Sequence, residues 1–241
     1  MTKELDGFQL KLIAIIAMLL NHIGSVFQLG EDYPAVYWLT ETIGKLTFPI
    51  MAYLLVQGFH YTGNRLRYGL RLAVFWLLSI IPFHVAFYNN WNFSWLDLFN
   101  NILFTLLVGL IMMVLYEKTT NSVLRLLIVL GSMSMTITSD WSLVGILIIF
   151  GYYQITDPKR KIISPPLYVA IPTFLISVGL GNRGLEGVLA ASPILGLLLT
   201  IPVLFRYNGQ RGYSPNWVKW GYYAFYPSHL FLLYLIKLAL G

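Results

Sequence analysis

The chain reads as an all-α polytopic membrane protein with about nine transmembrane helices, its N-terminus cytoplasmic and its C-terminus outside. Three observations carry that reading. Hydrophobic residues make up 57% of the 241 residues and charged residues only 11%, against roughly 25% charge in an ordinary soluble domain. Apolar runs recur along the whole length, most of them reaching the roughly 17–25 helical residues that a hydrocarbon core requires. Threading those runs from an inside N-terminus collects most of the Lys and Arg on one side, which is how short loops orient a membrane protein.

The runs fall near residues 8–28, 38–60, 68–88, 100–116, 122–138, 141–155, 164–181, 187–205 and 219–240. Residues 1–10 are short and polar and run straight into the first of them without a small-residue cleavage site, so they predict a retained first helix and not a signal peptide. The fifth and sixth runs are short and joined only by Ser139 and Asp140, the pattern of a helical hairpin that barely reaches the outer face. Inside fall Lys3, Lys11, Arg65, Arg67, Arg71, Lys118, Arg125, Lys159, Arg160, Lys161, Arg206, Arg211 and Lys219, and outside only Lys45, Arg183 and Lys237. With the acids included, the inside carries +9 and the outside −3, which together make the net +6 of the chain. One crossing more or fewer would scramble every later loop. The aromatic content of 16% suits interfacial belts, to which Trp38, Trp91, Trp95, Trp217 and Trp220 are assigned.

Residues 1–241 form a single transmembrane domain on this reading, with no internal repeat, low-complexity segment or coiled-coil heptad. The basic balance belongs to the inward loops and does not point to nucleic acid, because no basic patch is interleaved with stacking aromatics. The absence of cysteine excludes disulfides, thiolate metal sites and a cysteine nucleophile, and no metal is expected. Loops reach about a dozen residues at most, so chemistry belongs inside the helical bundle or at its mouths.

An ionisable group inside a membrane helix is a functional candidate by default. His22 lies about 16 Å beyond Lys11 at 1.5 Å per residue, near mid-membrane, where a neutral imidazole suits a general base. Its neighbour Asn21 has no titratable proton and can only orient or hydrogen-bond. His229 follows Pro227, whose ring removes a backbone donor and frees carbonyls in the last helix. His84 and His60 look like interface residues. A basic segment runs from Asn64 through Arg65, Arg67 and Arg71, the last two sharing a helix face at i, i+4, with backbone amides at the helix start that favour anions. Arg206, Arg211 and Lys219 gather on the same side. Anchoring to lipid phosphate explains any one of these cations; two glycine-containing basic loops at one mouth also fit a phosphate-bearing cytosolic donor.

The strings Met18-Leu-Leu-Asn-His-Ile-Gly24, Gly44-Lys-Leu-Thr-Phe-Pro-Ile-Met-Ala-Tyr-Leu-Leu-Val-Gln-Gly58, Asn64 through Leu72, Ile81-Pro-Phe-His-Val-Ala-Phe87, Asn101-Ile-Leu-Phe-Thr-Leu106, Tyr207-Asn-Gly-Gln-Arg-Gly212 and Phe225-Tyr-Pro-Ser-His229 resemble, in order and over nearly the whole chain, the TraX family. That family is associated with N-acetylation of pilin, and it looks like a small relative of the wider transmembrane acyltransferases of the acyltransferase-3 type. The resemblance implies an integral membrane acetyltransferase of the cytoplasmic membrane. It would move acetyl from cytosolic acetyl-CoA to an amine or hydroxyl of an extracytoplasmic peptide or glycan acceptor. His22 and His229 would be its intramembrane histidines, Asn21, Asn101 or His229 would stabilise the oxyanion, and Asn64, Arg65, Arg67, Arg71, Arg206 and Arg211 would receive the donor. Direct transfer and an acetyl-histidine relay both stay open.

The chain departs from the family pattern at Asn21, where Asp usually precedes the helix-one His, at Ser79-Ile-Ile-Pro-Phe-His84, where Ser-Glu-Ile-Pro-Phe-Asp is common, and at Lys45, where Arg is commonly seen. Loss of the Asp keeps a non-catalytic membrane scaffold of an envelope or conjugation system in view. A proton-coupled small-solute transporter is the other alternative, for which matched broken helices would be needed.

Overall fold

A computed structural model describes residues 4–88, 90–181 and 184–240; Lys3 and Arg183 of the charge pattern lie outside them. Among the described residues the regular structure is helical, apart from one isolated bridge between Leu5 and Tyr207. The order is α1 (Gly7–Val26), α2 (Leu29–Asp32), α3 (Pro34–Gly44), α4 (Thr47–Tyr61), α5 (Arg65–Tyr88), a 3₁₀ turn (Trp95–Phe99), α6 (Ile102–Lys118), α7 (Ser122–Met135), α8 (Ser142–Gln154), α9 (Pro158–Leu180), α10 (Leu185–Ala191), a 3₁₀ segment (Ser192–Leu199), α11 (Thr200–Phe205) and α12 (Asn216–Leu240).

Among the described residues six helical stretches are long and apolar enough to cross a membrane: Gly7–Val26, Pro34–Tyr61, Arg65–Tyr88, Pro158–Leu180, Leu185–Phe205 and Asn216–Leu240. The protein is thus an all-helical membrane protein. The three remaining runs, read at 100–116, 122–138 and 141–155, are the helices α6, α7 and α8 of 17, 14 and 13 residues. At 1.5 Å per residue they are about 26, 21 and 20 Å long, short of a roughly 30 Å hydrocarbon core. Hydroxyls account for part of the shortening. Thr136 Oγ1 turns back onto the Ser132 and Met133 carbonyls, and Ser139 Oγ onto that of Thr136, ending α7 at Met135.

Prolines explain where the sequence runs break. Run 38–60 divides into α3 and α4 at Lys45–Leu46, four residues before Pro49, whose ring would clash with the Lys45 carbonyl in a continuous helix. Run 187–205 divides into α10, the 3₁₀ segment and α11, with Pro193 and Pro202 at the two changes of pitch.

The helices form two compact units. The first comprises the residues up to Met51 and Ile155–Ser214. In it α1 packs on α3, while the Ser192–Leu199 segment packs on α3 and α9. The α1 start is fixed by a capping box, in which Asp6 accepts from Gln9 N and Gln9 Oε1 accepts from Asp6 N, both at 2.9 Å. Residues 206–210 are pinned beside it, because Leu5 N–H donates to Arg206 O at 3.0 Å and Gly7 N–H to Gln210 O at 2.8 Å. Gly44 lets α3 lie against α1, where any Cβ would strike the Asn21 side chain. Gly44→Ala is therefore expected to destabilise this unit by about 1–3 kcal/mol, the usual cost of overpacking. Thermal unfolding in detergent checks it, an unchanged midpoint being the contrary result.

The second unit joins Ala52–Gln154 to the residues from Pro215 onward. Its most extensive pairing is α5 with α12, and α6 packs against α5, α7 and α8. Phe75 on α5 meets Tyr223 and Trp220 on α12, and Trp91, just past α5, meets Tyr234 on α12. The two helices therefore run in the same direction.

Candidate functional site

The basic residues at the start of α5 turn out to have different local tasks. Asn64 caps the helix, its Oδ1 accepting from Arg67 N at 2.8 Å. Arg65 is paired with Glu117 at the end of α6, and its guanidinium lies 3.9 Å over the Phe59 ring. Arg67 is exposed. Arg71, one turn further, is half-buried and sits between two tyrosines, its guanidinium 5.6 Å from the Tyr68 ring centre and 5.9 Å from that of Tyr223. The Tyr223 hydroxyl meets the same guanidinium. Arg71 Nε is buried without a hydrogen-bond partner, and among the described residues no carboxylate pairs with Arg71. Arg71 is thus a cation in an apolar helix with no carboxylate counter-ion among the described residues.

Along α12, six residues from Tyr223 and hence about 9 Å further by helical rise, His229 is buried with 5% exposure. Its Nδ1 lies 2.7 Å from the Phe225 carbonyl. A carbonyl only accepts, so the proton sits on Nδ1 and the lone pair on Nε2. In that tautomer Nε2 is the ring atom that can accept a proton. Phe225 stacks on the ring at 4.5 Å and Tyr226 meets it edge-on at 5.8 Å. Tyr226 in turn reaches the start of α6, with its hydroxyl near the Ile102 backbone N–H and Asp140.

Asn101, fully buried, begins α6. Its Oδ1 accepts from Leu103 N at 3.1 Å and Phe104 N at 3.3 Å, so the cap fixes the amide orientation and leaves Nδ2 as a donor. That Nδ2 is buried and has no partner among the described residues. A buried unsatisfied amide N–H costs about 1–3 kcal/mol, which marks the position. The neighbouring turn holds a pair that the sequence did not reveal. His84 on α5, 3% exposed, has Nδ1 3.2 Å from Asp97 Oδ1 and Nε2 3.3 Å from Asn90 Oδ1, between the Tyr88 and Phe93 rings.

The first unit holds the other predicted residues. His22 is buried on α1 at 5% exposure. Asn21 donates from Nδ2 to Glu41 Oε1 on α3 at 2.6 Å. Ser25 Oγ donates to the same oxygen at 3.0 Å, and Lys45 Nζ pairs with Oε2 at 3.2 Å. Arg206 and Arg211 are exposed in the loop pinned beside the start of α1, with Arg211 in electrostatic reach of Lys11. Of the ten predicted residues, Asn64, Arg65, Arg67, Arg71, Asn101 and His229 belong to the second unit, and Asn21, His22, Arg206 and Arg211 to the first. Glu41, Tyr223, Tyr226 and the His84–Asp97 pair are additions. Glu41 and Lys45 had a legible signal, an acid and a base at i, i+4 inside an apolar run; so did Trp220, Tyr223 and Tyr226, spaced every three residues along one helix.

A family model for the TraX protein matches residues 6–237. The chain belongs to the TraX family. The match covers both units, so the predicted residues on α1, α5, α6 and α12 all fall inside it. A curated relative, the "Probable fimbrial assembly protein FimC, serogroup H1" of Dichelobacter nodosus, is 28% identical over the full length of both chains. No solved structure matches this TraX family member.

Proposed function

We propose that this TraX family member is an acetyl-CoA-dependent acetyltransferase of the cytoplasmic membrane. In this reading the chain crosses about nine times from a cytoplasmic N-terminus and is a small relative of the wider acyltransferase-3 type. It acetylates an amine or hydroxyl of an extracytoplasmic acceptor, and a pilin-type peptide terminus is favoured by the fimbrial name of the Dichelobacter relative. The observation that carries the proposal is the line in one unit from Arg71, through Tyr223 and along α12, to His229, with the Asn101 amide donor on adjoining α6.

Each group has one task in the chemistry. Arg71 holds a phosphate of acetyl-CoA. His229 Nε2 takes the proton of the acceptor as its nitrogen or oxygen lone pair attacks the acetyl carbonyl carbon, a step typically worth roughly 10²–10⁴-fold. The carbonyl π-electrons move onto oxygen, and Asn101 Nδ2–H donates to that oxyanion, a contribution of about 10²–10³-fold for one such donor. Collapse of the tetrahedral intermediate breaks the C–S bond, and the imidazolium returns its proton to the departing thiolate of coenzyme A.

Purified protein in detergent or nanodiscs, given radiolabelled acetyl-CoA and amine or hydroxyl acceptors, tests this. The expected result is label transfer that Asn101→Ala lowers by about 10²-fold while acetyl-CoA still binds. Well-folded wild type that neither binds acetyl-CoA nor transfers label would overturn the enzyme and favour the second reading, a membrane scaffold for fimbrial assembly. That reading too draws on the name of the relative.

A further inference from the structure

We infer that Tyr68, Arg71 and Tyr223 form a built seat for a single phosphate group, in which Tyr223 is the residue that positions Arg71. The inference rests on the acetyltransferase reading for its donor, but its geometry stands apart from turnover. Arg71 lies in a helix long and apolar enough to cross a membrane, where a guanidinium is retained only if something pairs with it. Among the described residues no carboxylate does so, in contrast to Arg65, which has Glu117. What surrounds Arg71 is instead a frame that orients it. Tyr68 and Tyr223 present their rings to the guanidinium, and the Tyr223 hydroxyl takes one of its donors, which leaves the Nε–H to a ligand.

The frame is itself held rigid. Phe75, one turn along α5 from Arg71, stacks on Tyr223 at 5.3 Å with only 22° between the rings, and Trp220 lies 6.2 Å beyond it. Tyr68 is pressed against α4 at Gly58, where an added Cβ would come within 3.0 Å of the ring. Arg71 therefore cannot swing away to find an anion elsewhere, and the buried Nε–H remains as a donor for one that arrives. A planar guanidinium with a donor fork fits a tetrahedral phosphate. Coenzyme A and a lipid headgroup both supply that chemistry.

Calorimetric titration of the full-length protein in zwitterionic nanodiscs separates the two sources. Coenzyme A, phosphatidate in mixed micelles and pantetheine, which lacks phosphate, are the probes. Tyr223→Phe removes only a hydroxyl and Arg71→Gln removes the charge; thermal unfolding verifies that both variants are folded. The expected result is that Tyr223→Phe weakens coenzyme A about tenfold and Arg71→Gln by more, with pantetheine affinity unchanged. If phosphatidate and not coenzyme A is weakened, the seat stands and its phosphate is a lipid. If neither phosphate-bearing probe responds, or pantetheine weakens equally, the inference is overturned. Coenzyme A binding that responds in this way without any acetyl transfer keeps the seat and removes the acetyltransferase reading.

Discussion

His229→Gln is expected to lower the rate of acetyl transfer by roughly 10²–10⁴-fold while leaving acetyl-CoA affinity within about twofold. Gln retains an amide that can reach the Phe225 carbonyl, now contacted by Nδ1 at 2.7 Å, but it has no basic lone pair. The loss should therefore fall on kcat and not on binding, the signature of an interaction needed for the chemical step. Because His229 is 5% exposed and stacked on Phe225, the unfolding midpoint is measured alongside. A variant that unfolds early says nothing against His22, whereas a folded and fully active His229→Gln protein sinks the assignment. The companion variant His22→Gln places the alternative on the same scale. If it alone is inactive, the base belongs to α1.

Composition and charge made the membrane class legible, since 57% hydrophobic and 11% charged residues leave no soluble fold. The positions of apolar runs were legible too, because burial in lipid demands long uninterrupted segments. Their internal breaks were less so. Pro49 ends α3 at Gly44, and Pro193 and Pro202 bound the 3₁₀ segment, yet Pro82 and Pro227 lie within continuous helices. A proline states that a donor is missing; tertiary packing decides whether the helix stops. At the site, His22, His229 and Arg71 stood out because charge and imidazole are rare in apolar helices. Glu41 and Tyr223 carried a periodic signal on their own helices, but the pairings themselves were hidden, since Glu41 lies 20 residues from Asn21, and Tyr223 is 152 residues from Arg71. Asn101 was named as an oxyanion donor, but its cap on α6, which turns Nδ2 inward, is a property of the folded turn.

Exchanging the charge between Asn21 and Glu41 is expected to expose a strong coupling. Asn21→Asp places two carboxylates where an amide donor now lies 2.6 Å from Glu41 Oε1, and two such groups cannot both ionise at that separation. Glu41→Gln removes the counter-charge 3.2 Å from Lys45, whose side chain is 26% exposed, within an arrangement that joins α1 to α3. Breaking a fully buried pair costs 3–5 kcal/mol; with side chains partly open to solvent, each single variant should lose about 1–3 kcal/mol. The double variant Asn21→Asp, Glu41→Gln restores one carboxylate facing one amide with donor and acceptor interchanged. It should recover at least about 1 kcal/mol relative to the sum of the single effects, the coupling that residues in contact display. Equilibrium unfolding of the four proteins in mixed micelles measures that term directly. Simple additivity would show that Glu41 does not hold Asn21. A positive coupling would explain how α1 keeps a fixed rotation, with His22 about 100° round the helix from the clamped Asn21, although this chain has no Asp before the histidine. Acetyl transfer by the double variant, set against each single one, then reads whether that rotation matters to the chemistry as well as to the fold.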